Sequence, residues 1–146
     1  MISDPNCTAC RETYNDIKKI VDNNKDEMQI GYSYFSDNIS LLGLVQEAAS
    51  RQDRFWECHQ LIMENPISSD TTYYYNLLSQ TGIDLDILKK DMNSPDLEKD
   101  IKENFKKISQ RSIYGTPTFI MNNKIITKEV SLTGLDYLIK EAIKNQ

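Results

Sequence analysis

Hydrophobic residues fall into two different rhythms along this chain, and the alternation between them lays out its elements. From Cys10 the apolar positions run Tyr14, Ile17 and Val21, in steps of four, three and four. That is one face of a helix, predicted over residues 7–21. Asp4, Pro5 and Asn6 supply start signals, with Asn6 the expected N-cap. After the polar run Asp22-Asn23-Asn24-Lys25-Asp26 the period drops to two. Met28, Ile30, Tyr32 and Tyr34 alternate with small or polar residues, Phe35 follows, and a strand is predicted.

Residues 38–112 return to helical spacing. Leu41, Leu44, Val45, Ala48 and Ala49 carry one helix, and Phe55-Trp56 opens another that continues to Leu61 and Ile62. Pro66 and Ser68-Ser69-Asp70 break the pattern; Tyr73, Tyr74, Leu77 and Leu78 resume it up to Gly82. Asp84 is placed to cap a short helix through Leu85 and Leu88, and a longer one puts Leu97, Ile101, Phe105 and Ile108 on one face. The expectation is a helical segment of four or five short pieces. Beyond it, Gly115-Thr116-Pro117 introduces Thr118-Phe119-Ile120-Met121, and Asn122-Asn123 turns the chain into Lys124-Ile125-Ile126-Thr127, a hairpin signature. A last helix aligns Leu135, Leu138, Ile139, Ala142 and Ile143, with Thr133 as its expected cap.

At 146 residues the chain forms one domain with room for an ordinary core. A net charge of -5, with no basic stripe or tail, argues against a nucleic-acid partner. The apolar runs are far shorter than a membrane span, so no direct membrane insertion is expected. No signal peptide precedes the first motif, so the chain does not record its own compartment. Three cysteines do not make a disulfide scaffold. Two at C-x-x-C spacing and one elsewhere suggest a redox pair or half of a metal site.

The pair stands where the first helix begins, in Asp4-Pro5-Asn6-Cys7-Thr8-Ala9-Cys10-Arg11. Cys7 falls in the first turn, where unpaired N–H groups and the helix dipole favour a negative charge. Cys10 lies on the inward face. One exposed thiol poised to ionise is thus backed by one that is sheltered. A helix N-terminus lowers a C-x-x-C thiol from about 8.5 into the range ~3.5–7.5, which makes Cys7 the candidate nucleophile and Cys10 the thiol that resolves its mixed disulfide. Thr8-Ala9 brings no cation, so a less extreme oxidant is expected than one with histidine between its cysteines. The rival reading joins Cys58 and His59 to the pair in a zinc site. Adjacent helical residues point about 100° apart, which makes that convergence awkward, and no second C-x-x-C exists. His59 therefore reads as a helix-face or packing residue and Cys58 as a buried apolar thiol. Tyr73-Tyr74-Tyr75 reads as packing plus exposure, and the charges between Asp86 and Lys107 as a solvated face.

Three features together resemble the DsbA-like branch of the thioredoxin superfamily: Cys7-Thr8-Ala9-Cys10-Arg11 heading a helix, Gln52-Asp53-Arg54-Phe55-Trp56-Glu57-Cys58-His59 in the helical segment, and Ile113-Tyr114-Gly115-Thr116-Pro117-Thr118-Phe119. The resemblance implies an α/β, thioredoxin-like fold with residues 1–37 and 113–146 as the thioredoxin part and 38–112 as a helical insertion. It also implies a thiol–disulfide oxidoreductase acting on unfolded or partly folded exported polypeptides. On that reading Cys7 and Cys10 are catalytic, Thr8, Ala9, Thr116 and Pro117 shape the site, and Pro117 matches the family's cis-proline beside the cysteines. No cofactor or metal is implied; a membrane redox partner and an extracytoplasmic location, the periplasm or cell envelope, are. One departure stands out. Only Met1-Ile2-Ser3 precede Asp4, too few for the strand that enters the motif in the family, so that strand, and the buried acid often found on it, is expected to be missing. An upstream extension carrying a β-rich run behind a secretory signal is the corresponding expectation. Two other classes remain open: a non-catalytic metal- or copper-binding module using Cys7 and Cys10, and a truncated, inactive remnant of the fold.

Overall fold

The computed structural model describes residues 1–126 and 131–144. Its sheet is small and is organised around the first three residues. β1 (Ile2–Ser3) runs parallel to β2 (Ser33–Tyr34), with Ile2 opposite Ser33 and Ser3 opposite Tyr34. On its other edge Ile2 forms an antiparallel bridge with Thr118: Ile2 N–H to Thr118 O at 2.8 Å and Thr118 N–H to Ile2 O at 2.9 Å. Thr118 leads into β3 (Phe119–Met121), which pairs antiparallel with β4 (Lys124–Ile126). The Ile2–Thr118 bridge thereby joins two two-stranded sheets, β1–β2 and β3–β4.

The expectation that the strand before the C-x-x-C helix is missing is thereby corrected. Successive residues of an extended chain direct their backbone groups to opposite edges. Ile2 can therefore serve Thr118 while the carbonyls of Met1 and Ser3 accept from Ser33 N–H (2.9 Å) and Phe35 N–H (3.0 Å). Two residues bridge the gap because both edges are used. The predicted strand from Met28 shrinks to Ser33–Tyr34 for the complementary reason, since a ladder is only as long as its partner. Upstream of it, Gly31 O accepts from the Met1 ammonium at 2.6 Å, and Met28 and Ile30 serve as packing residues.

α1 spans Thr8–Asn23, and its N-cap is Cys7 rather than Asn6. The Asn6 side chain is already engaged, donating to Asp4 Oδ1 at 3.1 Å and to Ser40 Oγ at 2.6 Å. The helical segment resolves into α2 (Leu41–Ser50), α3 (Phe55–Glu64), α4 (Thr71–Leu78), α5 (Leu85–Met92) and α6 (Pro95–Ser109). Its punctuation follows the sequence. Ser40, Asp70 and Asp84 cap α2, α4 and α5 through side-chain oxygens, and Gly82 takes the left-handed conformation (φ 75°) after a short 3-10 turn. Asn122 and Asn123, at φ 49° and 63°, form the predicted hairpin turn; Thr127 lies outside the described residues. α7 (Leu132–Lys144) is capped by Ser131, whose Oγ accepts from Gly134 N–H at 3.1 Å, and not by Thr133, which sits exposed inside the helix.

Three apolar clusters hold these elements together. Ile17 and Ile20 of α1 pack with Leu135 and Ile139 of α7 on one side of the sheet. Ile2 and Phe35 pack with Ile108 and Ile113 on the other, where α6 lies. The largest cluster joins Tyr34 to α2–α6 through Leu42, Val45, Ala49, Cys58, Ile62, Leu78 and Leu88. Gly43 lets α2 approach β2: a Cβ there would lie 2.4 Å from the Tyr34 ring.

A polar chain runs beside that core. Tyr32 Oη donates to Gln46 Oε1 at 2.9 Å, and the Gln46 amide meets His59 Nδ1 at 2.8 Å. Gln46 is wholly buried and His59 nearly so, its ring stacked on Phe55 at 5.2 Å and met edge-on by Tyr14 at 5.5 Å. Burial, reinforced by the nearby Arg11 cation, lowers the His59 pKa from 6.5 to about 4. The imidazole is therefore neutral in the folded protein and charges first in the unfolded chain. Between those two values the unfolded state binds more protons, so stability falls as the pH drops from 6.5 towards 4, by about 3 kcal/mol in all. Urea unfolding followed across this window should show the loss in wild type and a flatter profile in His59→Gln; equal slopes in the two proteins would contradict the assignment.

Candidate functional site

The loop between β1 and α1 delivers Cys7 to the first turn of a four-and-a-half-turn helix (about 16 residues at 3.6 per turn). Cys7 caps the helix with its backbone, its carbonyl accepting from Arg11 N–H at 3.1 Å, and no side-chain oxygen occupies the capping position. No acidic residue stands in that first turn to compete for its N–H groups. Cys7 is half-buried, Thr8 and Ala9 are exposed, and Cys10 is 3% exposed beneath them. All three cysteines are free thiols.

The environments of the pair pull in opposite directions. Burial pushes the Cys7 thiol up, but the Thr116 side chain, the Cys10 and Ala9 backbone N–H groups and the Cys10 thiol outweigh it and hold Cys7 below the ordinary cysteine range. Cys10 moves up, driven first by burial and also by Cys7, against opposing hydrogen bonds from Asp4 N–H, Ser3 and Thr116. Cys7 is thus both the more exposed and the more readily ionised of the two thiols.

The third part comes from the far end of the chain. Cys7 Sγ approaches the Thr116 carbonyl at 3.5 Å, and Thr116–Pro117 is a cis peptide. Thr118 fixes this turn twice, through its backbone pairing with Ile2 and through Oγ1 donating to Gly115 O at 2.7 Å. Thr116 and Pro117 remain partly exposed beside Cys7, and Tyr114, two residues before Thr116, is 87% exposed. The six residues singled out from sequence thus gather at one place, four from the start of α1 and two from the turn before β3.

Cys58 and His59 do not join them. The Cys58 thiol is buried against Thr81 Oγ1 at 3.7 Å, and His59 is engaged with Gln46. Among the described residues no three His, Cys, Asp or Glu side chains are grouped closely enough to hold a metal ion.

Two residues escape sequence reasoning. Arg11 is a structural clamp: its guanidinium donates to Pro5 O at 3.0 Å and to the carbonyls of Ile62, Met63 and Asn65, closing the end of α3 onto the motif loop. Its only signal in the sequence is a cation following the motif. Ser3, on β1, is the other: it is 1% exposed and works against the upward push of burial on Cys10, with nothing in the sequence to mark it.

The family model for the DSBA-like thioredoxin domain matches residues 6–140, most of the chain and both halves of this site. No curated protein matches. Among solved structures, a thioredoxin-like oxidoreductase from Silicibacter pomeroyi DSS-3 is similar at 20% identity and a TM-score of 0.77, covering 98% of this chain and 84% of its own. ScsC from Proteus mirabilis in a compact conformation follows at 20% and 0.71, covering 96% and 79%. The oxidoreductase DsbA from Xylella fastidiosa is similar at 13% and 0.72, covering 99% and 82%. At these identities the likeness is one of fold: a thioredoxin-like DsbA architecture, α/β with a helical insertion. With the family match spanning the C-x-x-C helix and the turn that meets it, the chain belongs to the DSBA-like thioredoxin domain family.

Proposed function

We propose that this protein is a thiol–disulfide oxidoreductase that forms or exchanges disulfides in exported polypeptides through Cys7 and Cys10. The observation that carries the reading is the asymmetry of the pair. A half-exposed sulfur with a lowered pKa sits at a helix N-terminus, against a buried sulfur with a raised one. In the oxidised form, a substrate thiolate attacks Cys7 Sγ, the Cys7–Cys10 bond breaks, and the electron pair leaves on Cys10. A second substrate thiol then releases Cys7. In the reverse direction the Cys7 thiolate attacks a substrate disulfide and Cys10 resolves the complex.

Thr8, Ala9, Thr116 and Pro117 form the rim of the site. An unfolded or partly folded polypeptide fits it best, because an extended backbone can reach the exposed face of the turn beside Cys7. Such chemistry belongs to an oxidising compartment, so the periplasm or cell envelope is the proposed location, with a membrane redox partner renewing the disulfide. Among the described residues no helix is long and apolar enough to cross a membrane.

Replacing Cys10 by Ser removes the resolving sulfur. Cys10→Ser should accumulate a mixed disulfide on Cys7 when mixed with an oxidised, unfolded polypeptide, visible as a reducible adduct by mass; a variant that binds the polypeptide without forming the adduct would sink the exchange reading. The dipeptide between the cysteines sets a second expectation. Thr8-Ala9 adds no cation to the Cys7 thiolate, so equilibration with glutathione should give a potential more reducing than the roughly −120 mV of the strongest oxidants of this kind. A value at or above that level would show that the dipeptide does not set the potential.

A further inference from the structure

The rim of the site is made of small side chains, Thr8, Ala9, Thr116 and Pro117. One large side chain stands beside them. Tyr114 is 87% exposed, the highest value for any large apolar residue among those described; the others lie on or next to α3, α5, β4 and α7. Its ring meets no other ring, and its hydroxyl has no hydrogen-bond partner among the described residues. The backbone that carries it is nevertheless held firmly. Ile113 is buried with Ile2, Phe35 and Ile108, which leaves Tyr114 turned out to solvent. On the other side Gly115 O accepts from Thr118 Oγ1 at 2.7 Å, and Thr118 is paired to Ile2. The N–H groups of Tyr114, Gly115 and Thr116 donate to no acceptor among the described residues. This turn therefore offers open backbone and a bare aromatic ring at the same place.

We propose that Tyr114 is a specificity-determining residue, selecting polypeptides that carry an aromatic or large aliphatic side chain two positions from the reacting cysteine. This rests on the thiol–disulfide reading above. The Thr116 carbonyl lies 3.5 Å from Cys7 Sγ, and two residues of chain span at most about 7 Å, which sets Tyr114 within reach of a polypeptide held at that sulfur. An extended substrate directs every second side chain to the same face. With its cysteine at Cys7 and its backbone along the turn, the side chain two positions away comes to Tyr114. A tyrosine ring on a fixed backbone gives up little conformational freedom when it is covered, and its face favours another ring or a broad aliphatic surface. The small side chains of the rest of the rim offer no comparable area, so the preference falls on this one position.

The test compares reduced wild type, Tyr114→Ala and Tyr114→Phe in the full chain. The substrates are short peptides with a central cysteine, glycine on either side of it and either phenylalanine or serine beyond, so that both chain directions are sampled. Each cysteine is joined in a disulfide to thionitrobenzoate, and glutathione joined in the same way is the small control. The Cys7 thiolate attacks the peptide sulfur, the Cys7–peptide S–S bond forms, and thionitrobenzoate leaves with the electron pair and is read by its colour. Cys10 then displaces the peptide thiol, its proton going to water, and the protein ends oxidised. Wild type should react about fivefold faster with the phenylalanine peptide than with the serine peptide, the order expected of one aromatic contact. Tyr114→Ala should lose that preference with its glutathione rate and Tm unchanged, and Tyr114→Phe should keep it. Equal peptide rates in wild type overturn the proposal, as does a preference that survives Tyr114→Ala. A Tyr114→Ala protein slowed equally on all three disulfides also overturns it, since the ring would then serve the turn and not the substrate. Folded wild type that releases no thionitrobenzoate from any of them takes down the thiol–disulfide reading, and this proposal with it.

Discussion

Two backbone hydrogen bonds between Ile2 and Thr118 hold the site together. Everything chemically interesting here comes from the two ends of the chain, more than a hundred residues apart, and this bridge is where the ends meet. The loop from β1 into α1 places Cys7 at the helix N-terminus, and the turn before β3 places Thr116 against its sulfur. Because Ile2 gives its groups to Thr118 while Met1 and Ser3 give theirs to β2, one extended tripeptide positions both halves.

The insertion is tied to the same point by polar contacts rather than by more sheet. Arg11 reaches from α1 to the carbonyls that end α3, satisfying acceptors that the helix itself leaves open. From the other direction, the Tyr32–Gln46–His59 chain links α2 and α3 to the carbonyl of Ser3. Buried polar chains of this kind are costly when incomplete, and His59 Nε2 is left without a partner among the described residues. The neutral, low-pKa imidazole follows from that environment. Burial of Cys10, against the partial exposure of Cys7, separates the properties of two thiols that are only three residues apart.

Much of this was legible in the sequence, for reasons that lie in short-range physics. Helical periodicity, the side-chain cap at Asp84 and the paired asparagines of the hairpin are local signals, and the structure follows them. The C-x-x-C spacing and the Gly115-Thr116-Pro117 turn were readable for the same reason. Most of what failed depended on partners remote in sequence, although Thr133 lost the cap of α7 to Ser131, two residues before it. Asn6 does not cap α1: the helix starts one residue later, with Cys7 at the cap, and the Asn6 amide N–H groups donate to Asp4 and Ser40. Met28 and Ile30 do not extend β2 because their neighbour strand is short. Ile2–Ser3 form a strand because Thr118 and Ser33 lie on either side. Ser3 carries no motif and Arg11 only its place after the cysteines, so the clamp that Arg11 forms shows only in the folded arrangement.

The central claim is that α1 makes Cys7 and Cys10 unlike each other. Alkylating the reduced wild-type protein across pH and locating the label by peptide mass tests this most directly. Cys7 should react first, at a pH below that of an ordinary cysteine, with Cys10 and Cys58 protected until far more alkaline conditions. Equal reactivity of Cys7 and Cys10, or labelling of Cys10 before Cys7, would contradict the account.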